Sequence, residues 1–265
     1  MNYIDAHNHL QDPHLARRRK EMLPALEQLG VKRSVVNGTR EDDWHAVAAL
    51  AAERPWVLPS FGLHPWHVAG RSADWEKHLR RTLEDHPRAG VGEVGLDRWI
   101  EGHDDALQAA VFTAQLALAA ELNRPVTIHC LRAWGALAET LRQHALPACG
   151  FLIHAYGGSL EMMREFAGLG GYFSFNAYFL HERKGAQRAV FREVPIDRLL
   201  VETDAPSMAP PEDRNPHPLR DSSGQVINHP ANIDLAYRAL AEIRGMEVEK
   251  LAQQVERNFA TLFGE

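Results

Sequence analysis

Cysteine is almost missing from this chain: 265 residues carry only Cys130 and Cys149. Two thiols cannot build the disulfide framework of a small secreted fold, so a reducing cytoplasm is the expected compartment and a packed core the expected source of stability. No apolar run approaches the ~20 residues that cross a bilayer, and the first residues lack the basic and apolar layout of a targeting segment. Positive charge is short as well. The net charge of −6 excludes a broad basic surface for gripping long duplexes and leaves room only for local contact with nucleic acid. Lysine is confined to Lys20, Lys32, Lys77, Lys184 and Lys250. Low-complexity tracts are absent too.

What the chain has is a recurring short apolar run. Eight of them follow one another: residues 3–6, 33–37, 57–61, 90–94, 125–129, 150–154, 171–175 and 199–203. Between them lie stretches with apolar residues at helical spacing, among them 106–122 and 133–144. Strand and helix alternating eight times predict a (β/α)8 barrel, a TIM barrel formed as one domain over residues 1–265. Residues 248–263 read as an extra amphipathic C-terminal helix. The one irregular stretch, 209–230, is rich in Pro, Asn and Asp. It follows the eighth strand, where such a barrel builds a substrate wall.

Histidine is abundant, at 15 residues, and its placement is informative. His7 and His9 stand two apart on the first predicted strand, so both rings project from one side of the pleat. Glu93 falls at the end of predicted strand four, His129 ends strand five, His154 ends strand six and Asp204 follows strand eight. A histidine that merely packs has no reason to recur at successive strand ends. Six metal-capable residues at the C-terminal ends of five strands all face the end where barrel enzymes keep their chemistry.

Four histidines and two carboxylates exceed what one tetrahedral ion needs, but suit two ions sharing a carboxylate and a bridging water. Glu93, from the strand between the two histidine groups, is the expected bridge. His7, His9 and Asp204 would hold the first ion, and His129 and His154 the second. One or two divalent ions are therefore expected, and a mixed nitrogen and oxygen set accepts Zn, Mn, Ni or Mg. Such ions activate water towards hydroxide, and Asp204 can accept its proton. No lysine ends a predicted strand, which argues against a carbamylated-lysine bridge.

Six motifs in order resemble the TatD family of metal-dependent deoxyribonucleases. They are Asp5-Ala6-His7-Asn8-His9-Leu10, Gly62-Leu63-His64-Pro65, Gly92-Glu93-Val94-Gly95-Leu96-Asp97, Pro125-Val126-Thr127-Ile128-His129, His154-Ala155-Tyr156-Gly157-Gly158 and Glu202-Thr203-Asp204-Ala205-Pro206. The resemblance spans nearly the whole chain. It implies metal ligation by the same six residues and phosphodiester cleavage of DNA; a barrel mouth admits one strand more readily than two, so single-stranded or frayed ends are the expected partner. Two departures bear on the substrate. Leu131-Arg132 stands where the family carries Arg-Asp, and Ala155-Tyr156-Gly157-Gly158 where it carries Cys-Phe-Ser-Gly.

Secondary candidates follow from position. His64, in its matching motif, is read as a contact to substrate phosphate, and Arg132 as a cation that meets phosphate charge or pairs with a neighbouring carboxylate. Glu202 lies one layer below Asp204 and would orient a ligand histidine. Cys130 faces away from its neighbour His129 and reads as packing. Trp66, Trp99 and Trp134 lie near the mouth, within reach of stacking on bases. A metal hydroxide also attacks carbonyl carbon, so hydrolysis of a lactone, amide or aminoacyl ester is the alternative chemistry. A non-catalytic metal-binding barrel is the alternative class.

Overall fold

A strand with neighbours on both sides and helices over its outer face has no solvent side, so it is written as a near-continuous apolar run. In the computed structural model, which describes residues 1–264, eight such segments form β1 (Tyr3–Asn8), β2 (Val31–Asn37), β3 (Val57–Phe61), β4 (Gly90–Asp97), β5 (Val126–Leu131), β6 (Phe151–Ile153), β7 (Gly171–Asn176) and β8 (Leu199–Glu202). Each is hydrogen-bonded in parallel to its successor, in sequence order. The intervening helices are α1 (Ala16–Leu29), α2 (Trp44–Glu53), α3 (Trp75–Asp85), α4 (Asp105–Leu122), α5 (Trp134–Gln143), α6 (Leu160–Gly168), α7 (Gly185–Glu193) and α8 (Ile233–Arg244). A further helix, α9 (Val248–Phe263), follows. The expected (β/α)8 barrel with an extra C-terminal helix is the fold found.

Side chains finish the seam between β8 and β1. The buried Asp5 carboxylate accepts the Thr203 N–H (3.0 Å) and hydroxyl (2.6 Å). Tyr237 of α8 accepts the Ile4 N–H and donates to the Ile4 carbonyl, both at 3.1 Å. Tyr237 thereby satisfies a buried backbone pair on the β8 side of β1. Higher up, the Asp204 N–H donates to the His7 carbonyl (2.9 Å) and the His9 N–H to the Ala205 carbonyl (2.8 Å). These two bonds tie the loop after β8 to the first histidine pair. At the opposite end, Asn258 of α9 donates to the carbonyls of Ile196 and Leu199, each at 2.8 Å, where β8 begins.

Two boundary expectations need correction. Glu93 does not end its strand: β4 continues to Asp97, with Gly95 opposite His129 and Asp97 opposite Leu131. Gly92 and Gly95 permit close approach within this strand. A Cβ on Gly92 would lie 2.8 Å from the Thr127 Cβ, and one on Gly95, at φ +140°, only 2.0 Å from the His129 carbonyl oxygen. The stretch 209–230 is also less irregular than expected. It holds an antiparallel hairpin of β9 (Leu219–Arg220) and β10 (Val226–Ile227). The Asp221 carboxylate organises its turn, accepting the N–H groups of Ser223 (2.8 Å) and Gln225 (3.0 Å). Among the described residues, no helix is long and apolar enough to cross a membrane.

Candidate metal centre

All six residues proposed from the strand ends converge at the C-terminal mouth, and His64 joins them. Glu93 stands at the middle. Its Oε2 lies 3.2 Å from His9 Nε2 and 3.6 Å from His7 Nε2. Its Oε1 lies 2.9 Å from His154 Nε2, 3.0 Å from His129 Nδ1 and 3.4 Å from His64 Nε2. Asp204 closes the first side, with Oδ1 3.3 Å from His7 Nε2 and 3.5 Å from His9 Nε2. Three groups of donor atoms are compact enough for an ion: His7, His9 and Asp204; His7, Glu93 and His154; His64, Glu93 and His129. One carboxylate thus divides five imidazoles between its two oxygens.

Local structure sets each ring. The Nδ1–H of His9 donates to the Asn37 carbonyl at 2.8 Å. A carbonyl only accepts, so Nδ1 carries a proton and Nε2 is the nitrogen turned to the carboxylates. His129 is held by Asp97: its Nε2–H donates to Asp97 Oδ2 at 3.0 Å, which turns Nδ1 inward. His154 Nδ1 faces the buried Glu202 Oε1 at 3.5 Å, and its ring stacks on His7 at 4.0 Å. Asp97 and Asn37 therefore act on the cluster through its histidines, the support that metal-ligating imidazoles require, and Glu202 places a carboxylate behind His154 without bonding to it.

His64 differs from the others. Its Nδ1 accepts the Trp66 backbone N–H at 3.2 Å, which puts the proton of a neutral ring on Nε2, the atom facing Glu93. Burial pulls its pKa down to about 4, so the ring is neutral at pH 7. Proximity places His64 in a metal-capable group, but the tautomer makes it a hydrogen-bond donor in the arrangement seen. The tautomer is the more telling of the two, because a protonated nitrogen has no lone pair to give an ion.

The charges are strongly interdependent. Burial would raise the Glu93 pKa, but His64, His154 and His7 together with the His129 hydrogen bond hold it well below the usual range. Asp204 is also held low: the His7 and His9 imidazoles beside it outweigh its burial. Burial opposes protonation of His9 and His154, but nearby carboxylates raise both well above an ordinary imidazole. Burial dominates for His7, which is shifted down. Asp97 is held down at about 2, because its bonds from His129 and the Trp99 N–H offset partial burial.

Imidazole nitrogens and carboxylate oxygens are the donors that borderline divalent ions take. His7 supplies the test of fit. Both its ring nitrogens are buried without a hydrogen bond, costly for polar atoms unless something binds them. Its Nε2 faces Glu93 and Asp204 together. The residues fit a divalent cation.

Arg132 is not brought into the cluster. It lies exposed just beyond β5 at φ +57° and forms neither ion pair nor hydrogen bond within the described residues. Trp134 turns away, packing edge-on against Tyr156 at 5.1 Å. Cys130 is buried in the core. Asp97 and Asn37 were overlooked by sequence reasoning. A signal existed for Asp97, since an acid two strand repeats beyond Glu93 returns to the same side of the pleat. Asn37 carries none, because it acts through its backbone carbonyl.

The sequence profile of the family described as TatD related DNase matches residues 4–264. The 3'-5' ssDNA/RNA exonuclease TatD of Pantoea ananatis is 33% identical over 250 residues, covering 93% of each chain. YjjV of Escherichia coli, named an uncharacterized metal-dependent hydrolase, is 30% identical over 263 residues, covering 98% of this chain and 97% of its own. The crystal structure of YjjV superimposes with a TM-score of 0.90 at 28% identity, over 99% of this chain and 98% of that one. A TatD family hydrolase from Entamoeba histolytica shares the fold, at TM-score 0.87 and 17% identity. The barrel, the convergent donor set and the whole-chain match lead to one conclusion: this chain belongs to the TatD family of metal-dependent hydrolases.

Proposed function

We propose that the whole chain works as one nuclease unit in the cytoplasm, cleaving phosphodiester bonds of single-stranded DNA or RNA, or of frayed ends. The observation that carries this reading is the division of the histidines between the two oxygens of Glu93, the disposition of a carboxylate that bridges two ions. His7, His9 and Asp204 would hold one ion, His129 and His154 the other, with Zn, Mn, Ni or Mg as candidates. When bound, such ions supply an acidified water and stabilise charge on the phosphate.

The chain's own groups do the rest. Asp204, an anion at neutral pH, accepts the proton that the attacking water gives up. Asn37 and Asp97 hold His9 and His129 in the tautomers that leave Nε2 and Nδ1 inward. His64 offers its Nε2–H to a phosphate oxygen, and Arg132 sits free at the rim to meet a neighbouring phosphate. The name of the Pantoea relative adds a direction, removal of residues from the 3′ end.

Chelation is the direct test. A stripped protein should lose hydrolysis of a 3′-labelled single strand and regain it with added Mn or Zn. A metal at a hundred times its dissociation constant stabilises the fold by about 2.7 kcal/mol, a melting shift of roughly 5–10 °C for a domain this size. Full activity after verified metal removal would sink the proposal.

Salt dependence gives a second measurement. With a net charge of −6, the chain should neutralise only about two to four phosphates beyond the metal centre. A single strand loses about 0.7 in log–log slope per contact, so a slope of roughly −1.4 to −2.8 is expected. Arg132→Ala should flatten it by about one contact. A steep slope, or faster cutting inside duplex than at single-stranded ends, would count against this mode of binding.

A further inference from the structure

Large apolar side chains are rare on the described surface: Met1, Trp66, Trp99, Leu131 and Ile196. Three of the five belong to one place beside the metal cluster. Trp66 is 49% exposed, Trp99 57% and Leu131 38%, and Asp97 bonds to the first two and is the strand neighbour of the third. The Trp66 Nε1–H donates to Asp97 Oδ2 at 2.7 Å, and the Trp99 backbone N–H to Oδ1 at 2.6 Å. Leu131 is the register partner of Asp97 on β5. The oxygen that holds Trp66 also holds His129. The Trp66 ring lies 5.0 Å from His64 and 6.4 Å from His129, so the patch is continuous with the cluster.

A buried carboxylate fixes the Trp66 indole and the backbone that carries Trp99, so little side-chain entropy is lost when a flat partner lies on them. The patch itself is apolar: Leu131 is aliphatic, and Arg98, beside Trp99, is paired with Asp105 at 2.8 Å, so phosphate contact falls to Arg132 beyond Leu131. A nucleobase has the matching chemistry: planar, apolar on its faces and attached to the phosphate the cluster would cleave. Resting on the nuclease reading, we propose that Trp66, Trp99 and Leu131 form a stacking platform for the base adjoining the scissile phosphate. The chain then grips its strand at this edge by a base, and a single-stranded, unstacked residue is required. Asp97 is the positioning residue that keeps the platform in register with His129.

Trp99→Ala is the cleanest probe, because the Trp99 side chain is exposed and makes no hydrogen bond. Stacking contributes about 1–3 kcal/mol per base, so this variant should raise KM on a single strand about ten- to hundredfold with little change in kcat. A strand made abasic at its 3′ residue should show the raised KM with both proteins. Trp66→Phe keeps a ring face but loses the bond to Asp97, so it should lower kcat as well. Equal KM for the wild type and Trp99→Ala on the base-bearing strand would overturn the platform and leave the hydrolase reading standing. Binding of a short oligothymidylate to chelated protein, followed by tryptophan fluorescence, decides the matter without turnover. Saturable quenching that weakens about tenfold or more in Trp99→Ala supports the platform even where the metal-loaded protein cuts no strand, a result that would refute only the nuclease reading. Unchanged binding overturns the platform.

Discussion

Asn in place of Asp204 should leave the barrel intact and cut turnover of a single strand by about three orders of magnitude. The expectation of an intact fold rests on shape. Asp204 follows β8 at φ +54°, a backbone region that Asn tolerates as well as Asp. Its N–H keeps the bond to the His7 carbonyl at 2.9 Å whichever side chain it carries. The chemistry does not survive the change. An amide cannot take up the proton of the attacking water, and its oxygen is a weaker ligand than a carboxylate. It also cannot supply the charge that His7 and His9 face at 3.3 and 3.5 Å. The loss should fall equally on kcat and kcat/KM, the pattern of an interaction made in the transition state. Circular dichroism and metal content should stay near wild type. Wild-type turnover in a metal-loaded Asp204→Asn protein would remove this residue from the proton transfer.

The barrel was legible because parallel strands buried on both faces write themselves as apolar runs, and eight such runs leave little choice of architecture. The donor set was legible for a related reason: barrel enzymes present functional residues at strand ends, so His7, His129, His154 and Asp204 could be placed by counting. What remained hidden depends on register and on contacts far apart in sequence. The apolar run read for strand four ends at Val94, whereas β4 continues through Gly95 to Asp97. Only the position of β5 shows that Gly95 is there to clear the His129 carbonyl. Asp97 was lost with that truncation, although its motif was in view. The tautomer of His64 depends on the Trp66 N–H, a loop conformation no residue type announces. The closing seam joins Tyr237 to Ile4 across most of the chain, and the β9–β10 hairpin depends on one Asp221 turn. Residue type and spacing thus located the donors, while the groups that orient them became visible only once strands stood side by side.

Glu93→Gln should separate the two halves of the centre. The wild-type carboxylate turns one oxygen to His7 and His9 and the other to His64, His129 and His154. A glutamine side chain keeps one oxygen and replaces the other with an NH2 group, which donates hydrogen bonds and cannot ligate a cation. It also removes the one negative charge that all five imidazoles share, so the histidines lose the main group raising their basicity. One side of the cluster should therefore lose its ion. If the wild type carries two, elemental analysis should find about one fewer per chain in Glu93→Gln, and turnover should fall at least a hundredfold. Asp204→Asn should show the opposite balance, a large rate loss with near-normal metal content, because the bridge is intact. The pair distinguishes holding the ions from moving the proton. Equal metal content and equal rates in Glu93→Gln and the wild type would mean that Glu93 spans no pair of ions, and that its central position only neutralises the buried histidines.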